Sequence, residues 1–143
     1  SKTPSDDNPR ALIFVKDKAA ALQLEEAFNT FITQMDLSIF CVYDEQNREN
    51  QRDTIYYGVD IVIATPKRLL LLYHLNGINL NDLKLMIIED AHLLPKQNFA
   101  ADIIRIPESL NKCQYLVFSN EYTDRIAGLK DSYMEHSVVV RVK

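Results

Sequence analysis

The sequence predicts an α/β fold built on a mainly parallel sheet, and three observations predict it. Short apolar or β-branched runs alternate with longer stretches of helical period, the pattern of βαβ units. A polar cluster follows each of the first five runs. The 143 residues are 47% hydrophobic, enough for one substantial core, and no internal repeat or low-complexity tract interrupts them.

In chain order, the spacing predicts strands over 11–15, 38–42, 60–64, 83–88, 114–118 and 138–142. The clearest helix is predicted over 18–34, where Ala20, Leu24, Ala27, Phe28 and Phe31 recur at helical spacing. Further helices are predicted over 45–56, 66–74, 97–106 and 123–133. Residues 1–9 (SKTPSDDNP) form a linker-like lead and 10–143 one folded unit, and the stop soon after a β-branched run suggests a piece of something longer.

Composition bounds the function. No apolar run approaches the roughly 20 residues needed to cross a bilayer, and the polar lead does not resemble a signal peptide, so no membrane partner and a cytoplasmic location are expected. Cys41 and Cys113 lie in the apolar segments SIFCVY and CQYLVF and are expected to be free structural thiols. A net charge of −4 and a pI near 5.3 exclude a protein that coats nucleic acid by bulk electrostatics; any such contact must be local.

The polar clusters are Lys16, Asp17, Lys18; Tyr43, Asp44, Glu45; Thr65, Pro66, Lys67, Arg68; Glu89, Asp90, Ala91, His92; and Ser119, Asn120, Glu121. Strands of a parallel sheet point one way, so these clusters should share its carboxyl edge, where ligands of such folds bind. Two adjacent carboxylates closing a buried strand, Glu89 and Asp90, suit Mg²⁺ and the orientation of a water for phosphoryl transfer, although such a pair also suits a helix cap. Thr65 and Pro66 read as a helix start, with a hydroxyl at the N-cap and proline at the first position. Lys67 and Arg68 oppose the helix dipole there unless an anion sits at that end, and a sugar-phosphate backbone is the natural one. Lys16 and Lys18 repeat the arrangement more weakly. Ser119, Asn120 and Glu121 suit either a cap or a functional role, and His74, His92 and His136 lack metal-site spacing.

In order and spacing these clusters resemble the motifs of the DEAD-box ATP-dependent RNA helicase family, in its first RecA-like lobe, over nearly the whole chain from Arg10 to Val142. The family writes RALILVPTRELALQ where this chain has RALIFVKDKAAALQ, and VDIVVATPGRLL where it has VDIVIATPKRLL. The resemblance implies RNA-backbone contacts through Lys18, Thr65, Pro66, Lys67 and Arg68. It places Glu89 at the Mg²⁺ carboxylate, Asp90 at the water-activating acid, and His92 with Ser119 at the coupling between motifs. Here DEAD has become Glu89-Asp90-Ala91-His92, with the two acids exchanged, and SAT has become Ser119-Asn120-Glu121. The family's glycine pair before its second helix is replaced by Asp44 and Glu45, which repel a phosphate.

The G-x-x-x-x-G-K-[ST] loop that cradles phosphates is missing; Gly58, Gly77 and Gly128 are the three glycines, none so arranged. The resemblance therefore implies ATP and Mg²⁺ for the intact family, while this chain alone is expected to hold neither. The leading reading is a partial RecA-like lobe of an ATP-dependent RNA helicase, partnered by RNA and a second RecA-like lobe. The alternative is a catalytically inactive pseudo-helicase acting as an RNA- or protein-binding module, and an unrelated nucleotide-binding α/β protein is weaker still. The family's sheet sets the phosphate-loop strand between the strand ending at Phe118 and the last one. Without it, 114–118 and 138–142 are expected to close up and pair directly, a shift of about 4.8 Å.

Overall fold

Four-residue apolar runs, each too short for a helix and rich in Ile, Val, Leu and Phe, make five parallel strands: β1 (Ala11–Phe14), β2 (Ile39–Val42), β3 (Ile61–Ala64), β4 (Leu85–Ile88) and β5 (Gln114–Val117). Their order across the sheet is β2-β3-β1-β4-β5. The computed structural model describes residues 8–44, 50–51, 54–55, 58–94, 106 and 112–142. Helices α1 (Lys18–Ile32), α2 (Pro66–His74) and α3 (Asp124–Tyr133) fall where periodicity predicts them, and a 3₁₀ turn (Ala91–Leu93) follows β4. Of the helices expected over 45–56 and 97–106, the described residues 50, 51, 54, 55 and 106 are helical; the rest lie outside the described residues.

The sheet is covered on both faces, so β1 alternates between two cores. Leu12 and Phe14, each fully buried, face Leu69 and Leu72 of α2, Ile126 and Leu129 of α3, Ile55 and Ile106. Ile13 and Val15 face the other way, with Ala21, Leu24 and Phe28 of α1. Asp17 starts α1 from an extended conformation, its carboxylate accepting from the Ala20 N–H at 2.8 Å, and Thr123 caps α3 in the same manner through the Ile126 N–H. Cys41 is buried and Cys113 half-buried, both free. Among the described residues no helix is long and apolar enough to cross a membrane.

All five strands end in register. Val42, Ala64, Phe14, Ile88 and Val117 form one row across the sheet. Whatever follows each strand therefore emerges along one straight edge, which is the structural cause of a shared site.

One expectation fails. Residues 138–142 form no strand and pair with nothing in the sheet. Val138, Val140 and Val142 are 83, 75 and 90% exposed, and a cavity of about 600 Å³ lies between this segment, the end of β5 and α3. The valines follow α3 and a turn, Ser137 N–H to the Met134 carbonyl, and line that cavity together with α3 and the end of β5 instead of pairing with β5. High β-propensity makes no strand without a ladder partner, and among the described residues no strand pairs with the outer side of β5.

Candidate functional site

The edge carries two groups, one over β2, β3 and α1 and one over β4 and β5. β1 separates β3 from β4, so their ends stand two strand spacings apart, about 10 Å.

In the first group the N-terminus of α2 is the centre. Thr65 occupies the N-cap position with Pro66 at the first helical position, as the sequence predicts, but its side chain makes no capping bond. The backbone N–H of Thr65 donates to the Val42 carbonyl at 3.0 Å, while Oγ1, in a residue only 9% exposed, has no hydrogen-bond partner among the described residues. Such a hydroxyl is costly unless a ligand completes it. Lys67 is exposed. Arg68 is engaged within the chain: its guanidinium Nη2 donates to the Asp44 carbonyl, its Nε lies 3.7 Å from Asp44 Oδ1, and Nη1 is buried without a hydrogen-bond partner among the described residues. Lys18 also has company, its ammonium lying 5.3 Å from the centre of the Tyr43 ring. Asp17, between Lys16 and Lys18, fills the N-terminus of α1 with its own carboxylate, so that second anion position is already taken.

In the second group β4 ends at Ile88, and the Glu89 N–H donates to the Phe14 carbonyl at 3.0 Å. Burial, and then the neighbouring Asp90 charge, hold the Glu89 carboxyl above the ordinary range, so its charged form is disfavoured. This folded-state pKa stands above the unfolded one, so the penalty is full above the raised value and is relieved as pH falls through it. Asp90 sits at φ 46°, ψ 48°, the left-handed region, which Asp tolerates far better than Glu. Here lies a physical reason for the exchanged acids: the backbone at 90 suits the shorter one. Asp90→Gly is expected to be more stable than Asp90→Ala by about 1 kcal/mol, measured by urea denaturation, because only glycine escapes the Cβ clash.

His92 leads across to β5. Its Nδ1 accepts from the Asn120 backbone N–H at 3.2 Å and lies 3.3 Å from Ser119 Oγ. Since a backbone N–H can only donate, Nδ1 carries the lone pair and the ring proton is on Nε2. The Ser119 hydroxyl donates to the Glu121 carbonyl at 2.6 Å and closes its own turn; the cap of α3 is Thr123, not this cluster. The Ala91 N–H to the Phe118 carbonyl, 2.9 Å, completes the junction. The structure thus brings His92 and Ser119 together and leaves Glu89 and Asp90 apart from Lys67 and Arg68.

The resemblance implies Mg²⁺, which takes one or two carboxylates and completes its shell with water and phosphate oxygens. Glu89 fits as one such carboxylate: it ends a strand, is half-buried and has its charge disfavoured until a cation offsets it. Among the described residues no group of three His, Cys, Asp or Glu makes a self-sufficient metal site. Sequence reasoning missed the Arg68–Asp44 contact, although the signal was present: opposite charges follow two runs that a parallel sheet can set side by side.

The model of the DEAD/DEAH box helicase family matches residues 2–126. Over 138 residues the chain is 27% identical to the probable ATP-dependent RNA helicase ddx17 of Dictyostelium discoideum, covering 96% of this chain and 18% of that protein. Over 140 residues it is 26% identical to DEAD-box ATP-dependent RNA helicase 53 of Oryza sativa subsp. japonica, covering 97% and 23%. The chain therefore spans about a fifth of the length of these curated relatives. Among solved structures it is similar to S. cerevisiae dbp5, determined with gle1 and ip6, with a TM-score of 0.83 at 17% identity over 99% of this chain and 36% of that one. It is also similar to the yeast DEAD-box splicing factor Prp28, with a TM-score of 0.80 at 18% identity over 92% and 32%. Both likenesses show a RecA-like fold, and with the family model spanning most of the sequence, the chain belongs to the DEAD/DEAH box helicase family.

Proposed function

We propose that this lobe serves an ATP-dependent RNA helicase by gripping the backbone of single-stranded RNA at the N-terminus of α2, in concert with a second RecA-like lobe. The observation that carries the reading is Thr65: a buried hydroxyl without a partner among the described residues, beside helix N–H groups and the exposed cation Lys67. Glu89 and Asp90, about 10 Å along the edge, are its contribution to nucleotide chemistry. These 143 residues include no G-x-x-x-x-G-K-[ST] phosphate cradle, so by themselves they are not expected to hold a triphosphate. His92, bonded to the Ser119–Asn120 turn, is the link between the ends of β4 and β5.

Binding of labelled oligouridine, followed by anisotropy across a salt series, tests the grip. Replacing Lys67 and Arg68 together by Ala is expected to weaken every sequence alike and to lower the salt slope by roughly 0.7 for each phosphate no longer neutralised. Thr65→Val is the sharper variant. Removing an unsatisfied hydroxyl without changing shape should leave stability equal or raised, by up to about 1 kcal/mol, while RNA affinity falls. Unchanged affinity in both variants would show that these residues only start a helix. A second reading, an inactive pseudo-helicase that binds RNA or protein, is favoured by the exchanged acids and by Glu121; it shares the grip and predicts no ATP turnover in the longer protein.

A further inference from the structure

Arg68 is the cation that a phosphate at the start of α2 would meet, and a carboxylate of this same chain is already there. The side chain of Arg68 is 11% exposed and that of Asp44 is 59% exposed, so the anion sits at the mouth and the guanidinium behind it. β2 and β3 are neighbours with Val42 paired to Ala64, which sets Asp44 and the start of α2 over the same stretch of edge. Nη2 is taken by the Asp44 carbonyl, Nε has Asp44 Oδ1 at 3.7 Å, and Nη1 and Thr65 Oγ1 remain without hydrogen-bond partners among the described residues.

We propose that Asp44 is an internal competitor for the phosphate site, its carboxylate holding Arg68 so that an RNA phosphate must displace it to bind at Thr65 and Arg68. The inference rests on the backbone grip proposed above and adds its regulation. Carboxylate and phosphate oxygens accept from a guanidinium in the same geometry, so the two exclude one another. Magnitude decides that the competitor yields. An ion pair this exposed is weak, at most a factor of about five, and the Nε–Oδ1 separation of 3.7 Å is long for a charge-assisted bond. A phosphate with the Thr65 hydroxyl, the helix N–H groups and Nη1 all available offers Arg68 the better partner. The lobe is thereby tuned to low affinity and quick release, and any event that neutralises Asp44 tightens its hold.

Asp44→Asn keeps the carbonyl that Arg68 uses and removes only the charge; Asp44→Gly provides a second variant, and a thermal melt confirms that each folds. Oligouridine binding of the whole chain is measured across a salt series, with and without Arg68→Ala. Independently of RNA, the rate at which phenylglyoxal modifies Arg68 is read by mass spectrometry. The expected result is a gain in affinity of about two- to fivefold for Asp44→Asn, a salt slope steeper by about 0.7, faster Arg68 modification, and loss of the affinity gain when Arg68→Ala is added. If Asp44→Asn leaves affinity unchanged while the Lys67 and Arg68 double variant weakens it, the competitor is refuted and the grip stands. An equal gain with Arg68 replaced also refutes it, reducing the effect to general charge. If neither the double variant nor Asp44→Asn changes binding, the grip is lost and the competitor with it.

Discussion

Phe14→Ala is expected to destabilise the lobe by about 3–5 kcal/mol, read as a shift of the urea midpoint without a change of slope. Phe14 is fully buried at the end of the central strand, and its neighbours on that face belong to two helices and two flanking strands, which cannot all move in to fill the gap. A loss of this size is a large share of the 5–15 kcal/mol that holds a typical domain folded. It also reaches the site, because the Phe14 carbonyl accepts the N–H of Glu89 and so fixes where β4 delivers its acids. Phe118→Ala makes the control: that ring is 51% exposed, and its loss should cost little.

The second large effect separates backbone from side chain on β5. Gln114 and Phe118 donate their N–H groups to Lys84 and Ile88 across the ladder, and the period of two places the N–H of Leu116 on the same side. Leu116 is 38% exposed, so Leu116→Ala is expected to cost less than about 1 kcal/mol. Leu116→Pro removes the ladder bond and is expected to cost about 3 kcal/mol or more. Equal effects in thermal or urea denaturation would show that β5 is not held to β4 through that N–H.

The central elements were legible because their signals are local. The runs ALIF, IVIA and LMII announce buried strands, and Ala20, Leu24 and Phe28 announce the face of α1 that covers them. The segment SVVVRV carries the same local signal and misleads, since a strand exists only through its neighbour and nothing local says that this neighbour is out of reach. The candidate site divides in the same way. Thr65 and Pro66 at a helix start and the acids after β4 follow from position in the chain. The engagement of Arg68 by Asp44 and of His92 by Asn120 depends on which strands lie side by side, and strand order is not written in any one segment.

That order has a consequence for how the chain matures. Ala11 pairs with Ile61 on one side and Leu85 on the other, so the partners of this central strand are made about 50 and 74 residues after it. At the usual 5–20 residues per second of synthesis, β1 waits roughly 4–15 s before β4 exists to pair with it. Through that interval β1, whose Leu12, Ile13 and Phe14 are buried in the end, lacks its β4 partner. Parallel pairing at such separations is slow even once the chain is complete. Supplying a chaperone that binds short apolar segments is therefore expected to raise the yield of folded protein more than slowing early synthesis does.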